Sequence, residues 1–307
     1  VTSRQDASIA VSVLVVTYNH ARFVRRALDG ALAQRLPEPF EIIISEDCST
    51  DGTREIVQEY AESNPQRIRL LLSAQNVHSN EVVARGFRAA RGRYVALLDG
   101  DDYWTSDDKL RAQMALLDER PDLTICFHNV QVVDERAQSK GRLWNAPDQP
   151  ETSSLHELLR GNFIATSSTM YRQSAVAEIP AWYDGFFPVT DWPLHVLYAR
   201  EGQIGYLNRS LGVYRLHGGG LFSTLGERAK LEANADFYRQ LRACSPDALA
   251  AEIARGQHDY FHGWADEFRR RSDRRMQLRC LRWAWSARVS AVGVGRRVLA
   301  ETGRAAR

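Results

Sequence analysis

Asp99-Gly100-Asp101-Asp102 follows the apolar run Tyr94-Val95-Ala96-Leu97-Leu98, so three carboxylates fall within four residues. Such groups repel one another unless water or a cation screens them, and hard oxygen ligands suit Mg²⁺ or Mn²⁺ carrying a diphosphate. An acidic turn before a helix would have the same composition. Two other apolar runs also end in polar groups. Val11-Ser12-Val13-Leu14-Val15-Val16 leads into Thr17-Tyr18-Asn19, and Phe40-Glu41-Ile42-Ile43-Ile44 leads into Ser45-Glu46-Asp47-Cys48-Ser49-Thr50-Asp51-Gly52-Thr53. Each has a plain reading: Asn19 as a helix cap, Asp47 as a turn brace, Asp51-Gly52 as an ordinary turn. Capping alone accounts poorly for all three together. Open α/β sheets bind ligands at the carboxyl ends of their strands, and there the three sets would share one crevice.

The elements that must position these groups are legible as periodicity. Short continuous apolar runs bounded by turn residues read as buried strands of a parallel sheet, and Ile68-Arg69-Leu70-Leu71-Leu72 adds another. Helical spacing joins Phe23, Ala27, Leu28, Ala31 and Leu32, then Ile56, Val57, Tyr60 and Ala61, then Val82, Val83, Phe87 and Ala90 before Gly92. Strand and helix alternate, the pattern of an α/β fold with a parallel, nucleotide-binding type of sheet. Thr105-Ser106-Asp107-Asp108 is expected to cap a helix through Leu110, Met114 and Leu117, with Leu123-Thr124-Ile125-Cys126-Phe127 as the next strand. From about residue 140 the alternation fades. Asp191-Trp192-Pro193-Leu194 then opens a helix, and two strands are expected at Ile204-Gly205-Tyr206-Leu207 and from Leu211 to His217. Beyond Ser223 only helices are expected, from Leu225 to Ala243, Pro246 to Arg271 and Arg274 to Arg288. Phe237, Leu241, Tyr260, Phe261, Trp264, Phe268, Leu278, Leu281 and Trp285 would form their seam.

Composition sets the outer bounds. The 307 residues have the hydrophobic and charged fractions of a globular protein, and no apolar stretch approaches a membrane span. Val1-Thr2-Ser3-Arg4-Gln5-Asp6 has no apolar signal core, so a cytoplasmic location is expected. Cys48, Cys126, Cys244 and Cys280 form no C-x-x-C pair and are expected to be reduced thiols. The net charge of +2 conceals an asymmetry: residues 266–307 hold 12 Arg against 4 acidic residues, net +8, which leaves −6 for the rest. Such a tail can meet anionic lipid at the inner face of the membrane or a carrier protein, with a solvated helix face as the plain alternative. No nucleic-acid partner is expected, and the helices offer an interface for a homo-oligomer.

V-S-V-L-V-V-T-Y-N, S-E-D-C-S-T-D-G-T and G-R-Y-V-A-L-L-D-G-D-D-Y-W, in that order and at matching spacing from Val11 to about Trp104, resemble the family 2 glycosyltransferases of GT-A fold. Weaker landmarks extend the likeness to about Ser223. The resemblance implies a Rossmann-like, mostly parallel GT-A sheet over residues 1–223, with a nucleotide-sugar half at about 8–128, a mixed acceptor half at about 129–223, and a helical, Arg-rich extension at 224–307. It implies an enzyme moving a sugar from a nucleotide diphosphate, with uridine the first candidate for the base and thymidine the second, to a glycan, lipid-linked or small carrier-bound acceptor. By that likeness Thr17, Tyr18 and Asn19 line the base and ribose pocket, Asp47 hydrogen-bonds the base, and Asp99 faces the ribose. Asp101 holds Mn²⁺ or Mg²⁺ on the diphosphate. A carboxylate accepts from a uracil N–H, and an anionic leaving group needs its developing charge neutralised.

By the same likeness the base comes from a carboxylate of the second half, and Asp191 is the candidate, with Trp192 walling the acceptor pocket; a simple helix cap with Pro193 in the first turn is the plain alternative. A base that deprotonates the acceptor as the sugar bond breaks implies inversion. In Tyr214-Arg215-Leu216-His217-Gly218-Gly219-Gly220 the likeness makes His217 a second metal ligand and Arg215 a diphosphate contact, while Gly161 to Arg172, with Ser168, borders the acceptor. Where many relatives carry an Arg-Asn pair this chain has Val83-Ala84, leaving His78, Asn80 or Arg85 as substitutes. An esterase reading of His217-Gly218-Gly219-Gly220 fails for want of a G-x-S-x-G elbow, and a nucleotidyltransferase would open with a Gly-rich basic loop. A nucleotide-sugar-binding scaffold without turnover is the remaining alternative, although it would need no carboxylate at Asp47, Asp101 and Asp191 together.

Overall fold

The computed structural model describes residues 9–134 and 142–287. The stretch at Val1 on which the leader expectation rests, and the Arg-rich tail from Arg288 onward, lie outside the described residues. Two compact units emerge, one of Val1–Ser154 with Phe163–Thr224 and one of Leu155–Asn162 with Leu225–Arg307.

In the first unit β1 (Val11–Thr17), β2 (Phe40–Glu46), β3 (Ile68–Leu72) and β4 (Tyr94–Asp99) alternate with α1 (Val24–Leu32), α2 (Thr53–Ser63) and α3 (Glu81–Ala89). Then come β5 (Tyr103–Trp104), α4 (Lys109–Glu119), β6 (Leu123–Asp134), β7 (Arg142–Leu143) and β8 (Thr152–Ser153). After α5 (Leu155–Leu159), which belongs to the second unit, follow β9 (Met170–Arg172), α6 (Trp192–Ala199) and β10 (Gln203–Leu216). The sheet runs β3-β2-β1-β4-β9-β6-β10-β5, with β7 on β6 and β8 on β10. Pairs β3-β2, β2-β1, β1-β4 and β6-β10 are parallel, while β9, inserted between β4 and β6, is antiparallel to both.

The fold is therefore α/β with a mostly parallel sheet, and the chain reverses its direction of strand addition between β1 and β4. That is the topological switch point, where crevices form. Val11, Val13, Leu14 and Val15 of β1 and Val95, Ala96 and Leu98 of β4 are fully buried, as strands covered on both faces require. At Gly92 an added Cβ would lie 2.4 Å from the Ser12 backbone nitrogen, so the approach into β4 admits no side chain.

Two element expectations are corrected. The two strands foreseen after α6 are one, β10, with register shifts around Leu207 and Ser210: exposed Asn208 and Arg209 interrupt the apolar run without ending the ladder. The polar, strand-like stretch from Gly161 becomes strand only at Met170, after a 3₁₀ turn at Thr166–Ser168. In the second unit α5, α7 (Glu227–Ala243), α8 (Asp247–Arg270) and a helix over 274–287 bury Phe237, Leu241, Phe261 and Phe268. Leu278 and Trp285, expected in the seam, are exposed instead. No described helix is long and apolar enough to cross a membrane.

Lys109 in α4 is fully buried, with its ammonium donating to the Thr169 carbonyl oxygen at 3.2 Å and lying 4.0 Å from the Trp104 ring centroid. Burial pulls its pKa from 10.5 down to about 7. The unfolded chain thus binds more protons than the folded one between these values, and stability from this position rises with pH across that window. Lys109→Met is expected to raise the melting temperature at pH 6, with a gain on the order of 1–3 kcal/mol after the loss of the Thr169 contact. The gain should shrink by pH 9, and melts of both proteins at the two pH values check it.

Candidate active site

The loop after β1 and the loop after β2 are laced together. The Asn19 amide N–H donates to Ser49 Oγ and the Thr50 N–H to Asn19 Oδ1, both at 2.9 Å. The His20 N–H donates to Thr53 Oγ1 at 2.8 Å, and the Ala21 N–H to Asp51 Oδ2 at 3.0 Å. Asn19 holds φ 55°, a left-handed conformation that Asn tolerates, and Phe23 rather than Asn19 stands at the start of α1. Thr17 is buried, whereas Tyr18 is exposed. Asp47 is buried one residue past β2: its Oδ1 accepts from Ser73 Oγ at 2.8 Å and from the Val77 N–H at 3.1 Å, while Oδ2 receives only a 3.3 Å contact from Val77.

At the end of β4, ligand atoms of Asp99, Asp101 and Asp102 lie within 4.8 Å of one another. The three differ in their partners. Asp102 is spent on structure: Oδ2 accepts from Ser167 Oγ at 2.6 Å and Oδ1 from the Arg215 N–H at 2.9 Å. Asp101 Oδ2 faces two imidazoles, His217 Nε2 at 3.0 Å and His20 Nε2 at 3.6 Å. Asp99 uses its backbone N–H toward Ser167 Oγ at 3.2 Å. Burial and the neighbouring carboxylates push Asp99 and Asp102 well above the usual carboxylate range. Burial would also raise Asp101, but His20 and His217 outweigh it and the net shift is downward. Gly100 is required here, since an added Cβ would lie 2.6 Å from Thr17 Oγ1 and 3.0 Å from His20 Nδ1.

Arg215 is buried, with Nη1 donating to the Asp101 carbonyl oxygen at 2.6 Å and its guanidinium 4.4 Å and 5.1 Å from the Tyr103 and Phe23 ring centroids. β10 therefore delivers Arg215 and His217 to the acidic cluster, as antiparallel β5 packs beside it. Asp191 stands at the start of α6, with Oδ1 accepting from the Trp192 N–H at 2.7 Å and Oδ2 from Thr166 Oγ1 at 3.1 Å. Burial would raise this carboxyl, yet His195, Thr166 and the Trp192 amide outweigh it and hold it below the usual range. Asp191 also acts on Asp99, for it contributes to the upward shift there.

Some expectations move. Ser168 and Trp192, foreseen at the acceptor, are both buried; the Ser168 hydroxyl donates to the Ala165 carbonyl oxygen at 2.6 Å, and the serine that reaches the cluster is Ser167. In a 3₁₀ turn adjacent side chains diverge, so a shift of one residue changes the partner. Of the substitutes for the absent Arg-Asn pair, Arg85 is spent on Ser45, Ser73 and the Glu46 and Leu71 carbonyls, and the Asn80 amide donates to the Tyr183 and Phe186 carbonyl oxygens. His78 is exposed at φ 45°. Sequence reasoning gave no individual site role to His20, Thr166, Ser167, His195 or the Phe23 and Tyr103 rings, although Phe23 belongs to the expected α1 face and Thr166 and Ser167 lie within the Gly161 to Arg172 stretch. Only His20, beside the Thr17-Tyr18-Asn19 strand end, carried a local signal.

Comparison with known proteins shows the family and the fold. Residues 12–179 match the profile described as glycosyl transferase family 2. An uncharacterised protein of Mycobacterium tuberculosis is 40% identical over 213 residues, 69% of this chain and 60% of that protein, so the match spans about three fifths of that relative. A Bacillus subtilis protein carrying the name teichuronic acid biosynthesis glycosyltransferase TuaG is 30% identical over 223 residues, 72% of this chain and 84% of its own. The crystal structure of Staphylococcus aureus TarS 1-349 in complex with UDP-GlcNAc superposes with TM-score 0.59 at 16% identity, over 92% of each chain. A mannosyltransferase from Pyrobaculum calidifontis in complex with GDP-Man and Mn²⁺ gives TM-score 0.50 at 16% identity, over 98% of this chain and 84% of that one. The likeness to these two structures is one of fold. The strand ends, the acidic cluster between β4 and β10 and the matched profile lead to one conclusion: this chain belongs to glycosyl transferase family 2.

Proposed function

We propose that this glycosyltransferase moves a sugar, with inversion, from a nucleotide diphosphate, uridine first among the bases, to a hydroxyl or amine of a glycan or small natural product. The observation that carries the proposal is the meeting of three strand ends with β10, so that Asp101, His217 and Arg215 stand together at the switch point. Asp47 presents Oδ2, the oxygen less used by the fold, to a base N–H, and Thr17, Tyr18 and Asn19 border the nucleoside. Asp99 faces the ribose.

The acidic cluster fits a divalent cation: buried carboxylates that raise one another's pKa are relieved by positive charge, and oxygen donors with one imidazole suit Mn²⁺ or Mg²⁺. Asp101 and His217 would hold that ion, which when bound neutralises charge on the diphosphate leaving group. Arg215, gripped between two rings, aims a fixed positive charge at the same place. Asp191, anionic at neutral pH, takes the acceptor proton as the acceptor oxygen or nitrogen bonds the anomeric carbon and the carbon–oxygen bond to the diphosphate breaks, its electron pair leaving with the nucleotide. The names borne by the two solved relatives, with UDP-GlcNAc and with GDP-Man and Mn²⁺, support this substrate class.

Calorimetry with UDP, dTDP and GDP, each with and without Mn²⁺, tests the proposal. UDP is expected to bind best and only weakly without the ion. Asp47→Ala is expected to weaken UDP binding by roughly 10–100-fold, the worth of a charge-assisted hydrogen bond. Absence of any metal-supported nucleotide binding would sink the transferase, and binding without turnover of any nucleotide sugar would leave a scaffold.

A further inference from the structure

His195 lies one helical turn after Asp191 in α6 and is completely buried. Its Nδ1 is 2.8 Å from the Tyr171 hydroxyl, and its Nε2, which makes no hydrogen bond, faces Asp191 Oδ2 at 3.7 Å. Tyr171 is itself completely buried in β9, its ring stacked 6.0 Å from the imidazole and packed against Phe87 and Tyr198. A phenol so enclosed keeps its proton and can donate it to Nδ1, which leaves the ring's own proton on Nε2, the edge turned to the carboxylate. A buried histidine whose second nitrogen meets only a carboxylate is poorly explained by packing, because an apolar residue of similar volume would bury more cheaply.

We propose that His195, held from behind by Tyr171, is a positioning residue that aims and keeps ionised the Asp191 carboxylate. The proposal rests on Asp191 being the base. The contacts run from Tyr171 to His195 at 2.8 Å and from His195 to Asp191 Oδ2 at 3.7 Å, while Thr166 donates to the same Oδ2 and the Trp192 amide to Oδ1. Among the described residues, Asp99 from β4, Tyr183 from the 3₁₀ turn at Ala181–Gly185 and Tyr214 from β10 also act with Asp191. Tyr183 spends its hydroxyl on the Thr190 carbonyl oxygen at 2.8 Å, and from within the helix His195 opposes the effect of burial together with the Trp192 amide.

Carbon-13 NMR titration of the aspartate side-chain carboxyls in the full chain tests this without donor or acceptor, the Asp191 signal being assigned by its loss in Asp191→Asn. In His195→Leu the midpoint is expected to move up by about one unit or more, a tenfold change in ionisation, and His195→Gln, which restores an N–H near the Nε2 position, should bring most of it back. Tyr171→Phe keeps the ring packing and loses the hydroxyl, so it should shift the midpoint in the same direction by less, and it serves if His195→Leu does not fold. An unmoved midpoint in folded variants overturns the proposal and leaves the base reading intact. Full turnover by Asp191→Asn overturns both.

Discussion

Asp101→Ala is expected to abolish metal-dependent transfer, with a fall in kcat of about 10³-fold or more, the several kcal/mol that charge neutralisation at a leaving group supplies. Asp101 Oδ2 is the point on which His217 and His20 converge, at 3.0 and 3.6 Å, and the backbone amide that acts on this carboxyl is Asp101's own. The carboxylate is therefore removable without unravelling the turn. Asp102→Ala would differ, because it would strand the Arg215 amide and the Ser167 hydroxyl and so lower the melting temperature along with activity. The discriminating measurement is turnover across an Mn²⁺ titration. Asp101→Ala should keep the wild-type melting temperature within a few degrees and show no Mn²⁺ response, whereas undiminished, metal-stimulated transfer would reassign the ion.

The second large effect belongs to Asp191→Asn. The amide oxygen can still accept from the Trp192 N–H and so preserve the start of α6, yet it cannot take a proton. Loss of general-base assistance is expected to lower kcat by roughly 10²–10⁴-fold with nucleotide affinity within about twofold of wild type. A parallel loss of nucleotide affinity would instead assign Asp191 to donor binding. The sign of the pH effect follows from the lowered carboxyl: the active form is deprotonated, its folded pKa lies below the ordinary 3.8, and activity through this group should hold on acidification and fall only as pH drops through that depressed value. A kcat profile taken down to pH 5 should show no limb attributable to Asp191.

How much of this was legible beforehand depended on how local the cause was. The strands β1, β2 and β4 announce themselves because burial on both faces demands unbroken apolar runs, and the polar groups at their ends inherit a common edge from that. The acidic cluster and Asp47 were therefore readable. Ser167 was not distinguishable from Ser168, because nothing in the run of Thr166 to Thr169 records which hydroxyl faces Asp102 across the sheet. His20 reaches Asp101 because Asn19 turns the chain through a left-handed conformation, a choice stabilised by Ser49 and Thr50 some thirty residues away. The length of β10 was missed for a related reason: partner strand β6 carries it across an exposed, polar bulge.

The lacing of the loop after β1 to the loop after β2 has one more implication, for how such a site can diversify. Four backbone amides in one loop or the other are answered by side chains across the gap, from Asn19, Ser49, Asp51 and Thr53, so neither loop can change length without orphaning its partner. This end of the sheet is thus set before a ligand arrives and would lose little freedom on binding. New specificities in descendants of this chain would have to come by exchanging side chains on a fixed frame there, while insertions and deletions are free to accumulate only in loops without such cross-ties.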